Sequence, residues 1–289
     1  MRPFQFAAPT TLQEAIAVLA QAQGGAKPLV GGTDLIAQVK ENRRKPSVVV
    51  DVKRIPELNR LEYVEGDGLH LGASVPCVDT YGHPEVQRRY PALWDSTQLV
   101  GSIQIQNRAS VGGNVCNAAP SADTVPALLV YEGVAVVAGP RGQRRIPLDQ
   151  FFRGPGQTVM EPDELLVEVH LPPPPPNSSS HYLRFIPREE MDIAVAGAAS
   201  LLALDAQGTV ARARIALASV APTPLRAREA EAALEGKRPT PELLRQAGEL
   251  AAAATRPITD VRGSVEYRKE LVKVLTRRTL EMCLRDLGQ

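Results

Sequence analysis

The chain has 289 residues and a formal net charge of +1, a length that suits about two domains and a charge that gives no pull toward nucleic acid or an anionic membrane. With 44% hydrophobic and 22% charged residues the composition is that of a soluble globular protein, and 4% aromatics argues against a base-stacking platform. No apolar run reaches membrane-span length, and Met1–Phe6 has neither the long apolar stretch nor the small-residue cleavage site of a signal peptide, so a cytoplasmic location is expected.

The first predicted element is a helix. Thr11 and Glu14 form a capping-box pair, Leu12, Ala15, Ile16 and Leu19 recur at helical spacing, and Gly24-Gly25 stops it. A short strand, Pro28-Leu29-Val30, runs into Gly31-Gly32-Thr33-Asp34; an amphipathic segment covers Leu35 to Lys40, and Val48–Val52 is a strand. The first fifty or so residues therefore read as a small β-α-β-β unit. Leu61–Val64 and Leu69–Ala73 flank Gly66-Asp67-Gly68, the pattern of a hairpin. Pro84 to about Gln98 reads as helix, Ser110–Asn114 breaks the pattern, and Ala122–Glu132 is an apolar helix with Pro126 near its start. Val134–Ala138 and Leu165–Leu171 read as strands.

Pro172–Pro176 followed by Asn177 and three serines is the sharpest change of composition, a stiff spacer and then a flexible one. A domain boundary is placed there. Beyond it come strands Ile193–Leu204 and Val210–Val220, helices at about Arg226–Leu234 and Pro241–Ala254, and a last helix at about Ser264–Leu287.

The cysteines, Cys77, Cys116 and Cys283, are sparse and form no CxxC, which fits reduced thiols and is too few for an iron–sulfur cluster. The histidines, His70, His83, His170 and His181, form no HExxH, so the spacing suggests no metal site.

Two short segments carry the candidate chemistry: Leu29-Val30-Gly31-Gly32-Thr33-Asp34-Leu35 and Ser110-Val111-Gly112-Gly113-Asn114. Glycine permits positive φ and close approach of another group. Consecutive backbone N–H groups then make a nest for phosphate oxygens, with the hydroxyls of Thr33 and Ser110 as further donors. One diphosphate bridging both turns would need no lysine or arginine. Neither segment is a GxGxxG fingerprint or a P-loop, and a glycine pair alone is more often a plain turn.

The flanking residues extend the pattern. Val30–Leu35 resembles the first FAD-diphosphate loop of the molybdenum hydroxylase flavoproteins, the xanthine dehydrogenase and carbon-monoxide dehydrogenase type. Ala109-Ser110-Val111-Gly112-Gly113-Asn114-Val115-Cys116-Asn117-Ala118-Ala119-Pro120-Ser121-Ala122-Asp123-Thr124 resembles their second signature. Met191–Ala194 and Asp260–Arg268 are similar to two C-terminal signatures of that family.

The resemblance implies an α+β chain. A two-subdomain FAD-binding domain of the vanillyl-alcohol-oxidase type would span 1–176, with subdomains at about 1–55 and 56–176. A C-terminal α+β domain of antiparallel strands and helices would span 177–289. Leu29 to Leu35 and Ser110 to Asn114 would flank the FAD diphosphate, Asp123 would accept hydrogen bonds from FAD hydroxyls or cap the next helix, and Val100 and Leu166 would lie against the cofactor or in the core. Arg184 stands where some relatives have lysine near the isoalloxazine ring, or is a solvated arginine. Cys116 is read as a small buried residue. Asp260–Arg268 would contact a partner or simply start the last helix.

The implied function is electron transfer by an oxidoreductase subunit without catalytic side chains or metal of its own. It would take electrons from [2Fe–2S] clusters in a small subunit, the molybdenum cofactor being held by a large molybdopterin-binding subunit, and deliver them to a soluble acceptor. A stand-alone flavin oxidoreductase and an assembly protein with a vestigial FAD site are the alternatives.

Overall fold

The Thr11 hydroxyl accepts from the Glu14 N–H at 3.2 Å, and the Glu14 carboxylate accepts from the Thr10 N–H at 2.9 Å, a capping box whose second bond is displaced by one residue. The structure, a computed structural model describing residues 2–289, opens with β1 (Gln5–Ala7), α1 (Leu12–Gln21), β2 (Ala26–Leu29), α2 (Leu35–Lys40) and β3 (Val48–Asp51). The three strands are parallel in the order β1-β3-β2. The unit is thus β-α-β-α-β, not the β-α-β-β expected. Gln5–Ala7 is too short and too exposed for the pattern to reveal.

Next come β4 (Leu61–Val64), β5 (Gly68–Gly72), α3 (Cys77–Gly82), α4 (Pro84–Arg89), α5 (Pro91–Thr97), α6 (Ile103–Gln106), α7 (Val111–Asn117) and α8 (Thr124–Val130). They are followed by β6 (Val134–Gly139), β7 (Gly142–Pro147), β8 (Phe152–Gly154), β9 (Gln157–Thr158) and β10 (Leu165–Leu171). An antiparallel sheet has the order β4-β5-β10-β6-β7. β5 and β10 send Leu69, Leu71, Val169 and Leu171 into the core, and strand alternation puts His70 and His170 on the opposite face. The single helix expected over Pro84–Gln98 is two, because Tyr90 leaves helical geometry (φ −128°, ψ 57°) before Pro91 starts the next.

The third sheet, β11 (Ser178–Phe185), β12 (Ala196–Leu204), β13 (Val210–Ala218) and β14 (Leu225–Arg226), is antiparallel in that order, with α9 (Arg228–Leu234), α10 (Pro241–Ala253) and α11 (Val265–Asp286) after it. Tyr182, Ala199, Leu201 and Ala216 share the core that includes Leu93, Leu128 and Leu129, while Ala198, Leu202, Ala213 and Ile215 share a second core with α9, α10 and α11. Coverage on both faces explains why every residue of β12 is buried. The serines expected to form a flexible spacer instead begin β11. Ser179 and Ser180 are buried, and the Ser180 hydroxyl accepts from the Ala92 N–H at 3.2 Å, which fixes this strand against α5.

Candidate functional site

The first glycine turn follows β2 directly. Gly32 has φ +74° and its carbonyl accepts from the Ile36 N–H at 3.0 Å, starting α2. Gly31 needs glycine for another reason: a Cβ there would lie 1.9 Å from the Arg108 carbonyl oxygen and 2.9 Å from the Ala109 nitrogen. The backbone that enters the second segment therefore crosses the first turn at contact distance.

The second segment is a helix, not a bend. The Ser110 hydroxyl accepts from the Gly113 N–H at 2.9 Å, the bond of an N-cap, and Val111–Asn117 is α7. Of the four glycines in the two segments only Gly32 has positive φ, which corrects the expectation of two matching bends. Gly112 faces Ala73, whose Cα would be 2.5 Å from an added Cβ. Gly113 is different: an added Cβ would meet only the Ser110 Oγ, at 3.1 Å. Among the described residues no protein acceptor pairs with the N–H groups of Gly32, Thr33 and Asp34, nor with those of Val111 and Gly112 in the first turn of α7.

Further bonds join these turns to the rest of the site. Gln38 of α2 donates to the Asn117 Oδ1 of α7 at 3.3 Å. The Asn114 Oδ1 accepts from the Thr124 hydroxyl at 2.7 Å, so Asn114 rather than Asp123 serves the start of α8. Asp123, which makes no capping bond, accepts instead from the Tyr182 hydroxyl at 2.8 Å and from the Arg184 Nη1 at 2.5 Å. Burial pushes the Asp123 carboxyl up, against the opposing pull of the Arg184 guanidinium and the Tyr182 hydroxyl. The Arg184 side chain is 5% exposed, so it is neither solvated nor a free cation, and its Nε is buried without a partner.

Leu29 ends β2; Val30 is half-buried in the turn, and Asp34, exposed and without a capping bond, precedes Leu35 at the start of α2. Val100 is half-buried in the bend before α6, the helix that leads to Arg108. Val111, the first residue of α7, is fully buried, and Leu166 is 1% exposed within the core. The neighbouring Val167 carbonyl accepts from Ala73, the residue against which Gly112 rests, so Leu166 lies behind the second segment. Cys116 is exposed, not buried as expected. In Asp260–Arg268, Ser264 caps α11, while Arg268 donates to the Val195 carbonyl at 2.6 Å and to Asp260 at 2.7 Å. Sequence reasoning missed Tyr182 and Gln38, which carry no motif, and a side-chain cluster at Asp67, His70 and His170, which only strand register assembles.

Residues 2–174 match the family model described as the FAD binding domain in molybdopterin dehydrogenase, and residues 181–283 match the CO dehydrogenase flavoprotein C-terminal domain. The chain belongs to the molybdenum hydroxylase flavoproteins. It is 33% identical to the carbon monoxide dehydrogenase medium chain of Hydrogenophaga pseudoflava, over 96% of each chain. It is 32% identical to the xanthine dehydrogenase FAD-binding subunit of Escherichia coli O157:H7, over 96% of this chain and 95% of that one. Among solved structures, carbon monoxide dehydrogenase from Hydrogenophaga pseudoflava superposes with a TM-score of 0.93 at 35% identity, covering 97% of this chain and 98% of that chain. Quinoline 2-oxidoreductase from Pseudomonas putida 86 gives 0.92 at 28% identity, covering 100% and 99%.

As a member of this family the chain is a flavoprotein subunit of a molybdenum-containing oxidoreductase, and FAD is its cofactor. Its residues fit that cofactor. Unpaired N–H groups on both segments suit an anionic diphosphate, Gly113 leaves room beside them, and Arg184 keeps one buried donor for an acceptor the protein does not supply. No described helix is long and apolar enough to cross a membrane.

Proposed function

We propose that this chain is the electron-relaying subunit of a cytoplasmic three-subunit molybdenum hydroxylase. It would receive electrons from the [2Fe–2S] clusters of a small partner, downstream of a molybdopterin-binding large partner, and pass them to a soluble acceptor. The observation that carries the reading is the contact of Gly31 with Arg108 and Ala109, which sets two amide-bearing segments side by side. The names of the relatives, a medium chain and a FAD-binding subunit, support the multi-subunit setting.

Bound FAD would supply the redox chemistry, including the exchange between one-electron and two-electron steps. The residues of this chain bind and orient it. Gly32, Thr33, Val111 and Gly112 would offer N–H donors to the diphosphate, with the hydroxyls of Thr33 and Ser110 beside them; Leu29 to Leu35 and Ser110 to Asn114 form the surrounding walls. Asp123, fixed by Tyr182, and Arg184 would line the flavin-nucleotide side, with Val100 and Leu166 as apolar support.

Co-production with the chains encoded beside it is the test. The proposal expects a complex containing molybdenum and iron in which oxidation of the substrate by the large chain bleaches the flavin absorbance near this subunit's site. An isolated chain that turns over a small substrate and an acceptor by itself, with no association to such partners, would instead support a stand-alone flavin oxidoreductase.

A further inference from the structure

We propose that Asp67, His70 and His170 form a binding site for one divalent transition-metal ion, outside the flavin site and independent of it. His70 on β5 and His170 on β10 are direct cross-strand partners on the face of the sheet opposite the core, with ring centroids 4.9 Å apart. The hairpin turn between β4 and β5 brings Asp67 over them. One ligand atom from each of the three residues lies within 4.8 Å of the others. Both imidazoles are sheltered, His70 8% and His170 7% exposed, while the Asp67 side chain is 56% exposed at the entrance. Two imidazole nitrogens and a carboxylate, with water completing the shell, suit Zn²⁺, Ni²⁺ or Cu²⁺ better than Mg²⁺ or Ca²⁺, which prefer oxygen.

The surroundings favour this geometry. His70 Nδ1 lies 2.9 Å from the Glu168 Oε1, an acceptor that orients the ring and directs Nε2 toward the Asp67 Oδ2, also 2.9 Å away. A carboxylate behind a ligating histidine is a recurring support of metal sites. The nitrogen of His170 nearest the centre, Nε2, donates to the Asp67 backbone carbonyl at 3.0 Å and lies 3.2 Å from the Asp67 Oδ1. Its Nδ1 accepts from the Arg145 Nη2 at 2.9 Å, so ligation through Nε2 requires a change of tautomer and withdrawal of that exposed arginine. Arg60 faces Glu168 from the other side, 3.9 Å away, and Glu62 is the cross-strand neighbour of His70. Three carboxylates thus surround the histidine pair against two guanidiniums.

The test is a calorimetric titration of the full, tag-free chain with zinc chloride near pH 7.5. The proposal expects one Zn²⁺ per chain, loss of that binding in His70→Gln, and at least tenfold weaker binding in Asp67→Asn. Glu168→Gln should weaken it about 10–100-fold, the usual effect of removing a carboxylate behind a ligating histidine. Asp67 lies on an exposed turn, so Asp67→Asn separates ligation from folding, with the thermal midpoint as control. No saturable Zn²⁺ binding, or equal binding in folded Asp67→Asn, overturns the proposal and leaves the cluster as an imidazole–carboxylate network.

Discussion

Gly113→Val is expected to fold and to purify without FAD. Glycine inside a helix costs about 0.8–1 kcal/mol relative to alanine, so a glycine that the fold does not require destabilises the helix without return. Gly112 has a protein reason, the Ala73 backbone 2.5 Å from an added Cβ. Gly113 has none: its added Cβ would press only on the Ser110 Oγ at 3.1 Å, a contact that a few tenths of an ångström of movement relieves. The account assigns the open space to the diphosphate. The apo form of Gly113→Val should therefore melt within a few degrees of the apo wild type while its flavin absorbance per chain falls to background. Gly31→Val differs, because the Arg108 carbonyl oxygen is 1.9 Å from the added Cβ, and it should lose both FAD and stability. Stoichiometric FAD in Gly113→Val would remove the diphosphate from that position.

Arg184→Ala should be strongly destabilising. It leaves the Asp123 carboxylate buried with only the Tyr182 hydroxyl, and breaking a buried pair by removing one partner costs about 3–5 kcal/mol. For a chain of this size, about 3 kcal/mol corresponds to a fall in thermal midpoint of about 5 °C. The loss should be strongly non-additive: Asp123→Asn with Arg184→Met removes both charges and should recover a large part of it. A cation near the isoalloxazine ring, the position that the resemblance gives Arg184, predicts instead that the substitution lowers the flavin reduction potential more than it weakens FAD binding. Midpoint and potential measured on the same variant separate the two roles. Equal, additive losses in the two single variants would show that the 2.5 Å contact is not an energetic pair.

Much of the fold was legible wherever hydrophobic periodicity was regular. β10 and α2 fall on the expected residues, and α10 and α11 lie within a residue or two; in β10, α10 and α11 buried residues recur along the whole element. α7 was hidden because its first turn is Gly112-Gly113, and glycine reads as a break even when a serine cap and a close neighbour explain it. β11 was hidden by its polar serines, buried only because Ser179 and Ser180 find partners on Asp286 and α5. β7 is an edge strand with four exposed residues before Ile146 and gives no alternation.

The site divides in the same way. The glycine segments were visible locally, and the resemblance brought them together before any contact was known. What each residue does was not visible, since Tyr182 to Asp123 spans 59 positions and Asp67 to His170 spans 103. Such pairings depend on sheet register and on the packing of the third sheet against α8. Short-range spacing carries no information about either.

The most direct test of the central claim is a crystal structure of the chain with bound FAD. The account predicts one diphosphate between the two segments, with phosphate oxygens at about 2.7–3.2 Å from N–H groups of both the Gly32–Thr33 turn and the first turn of α7. A diphosphate held by only one of them, or bound elsewhere on the chain, would contradict it.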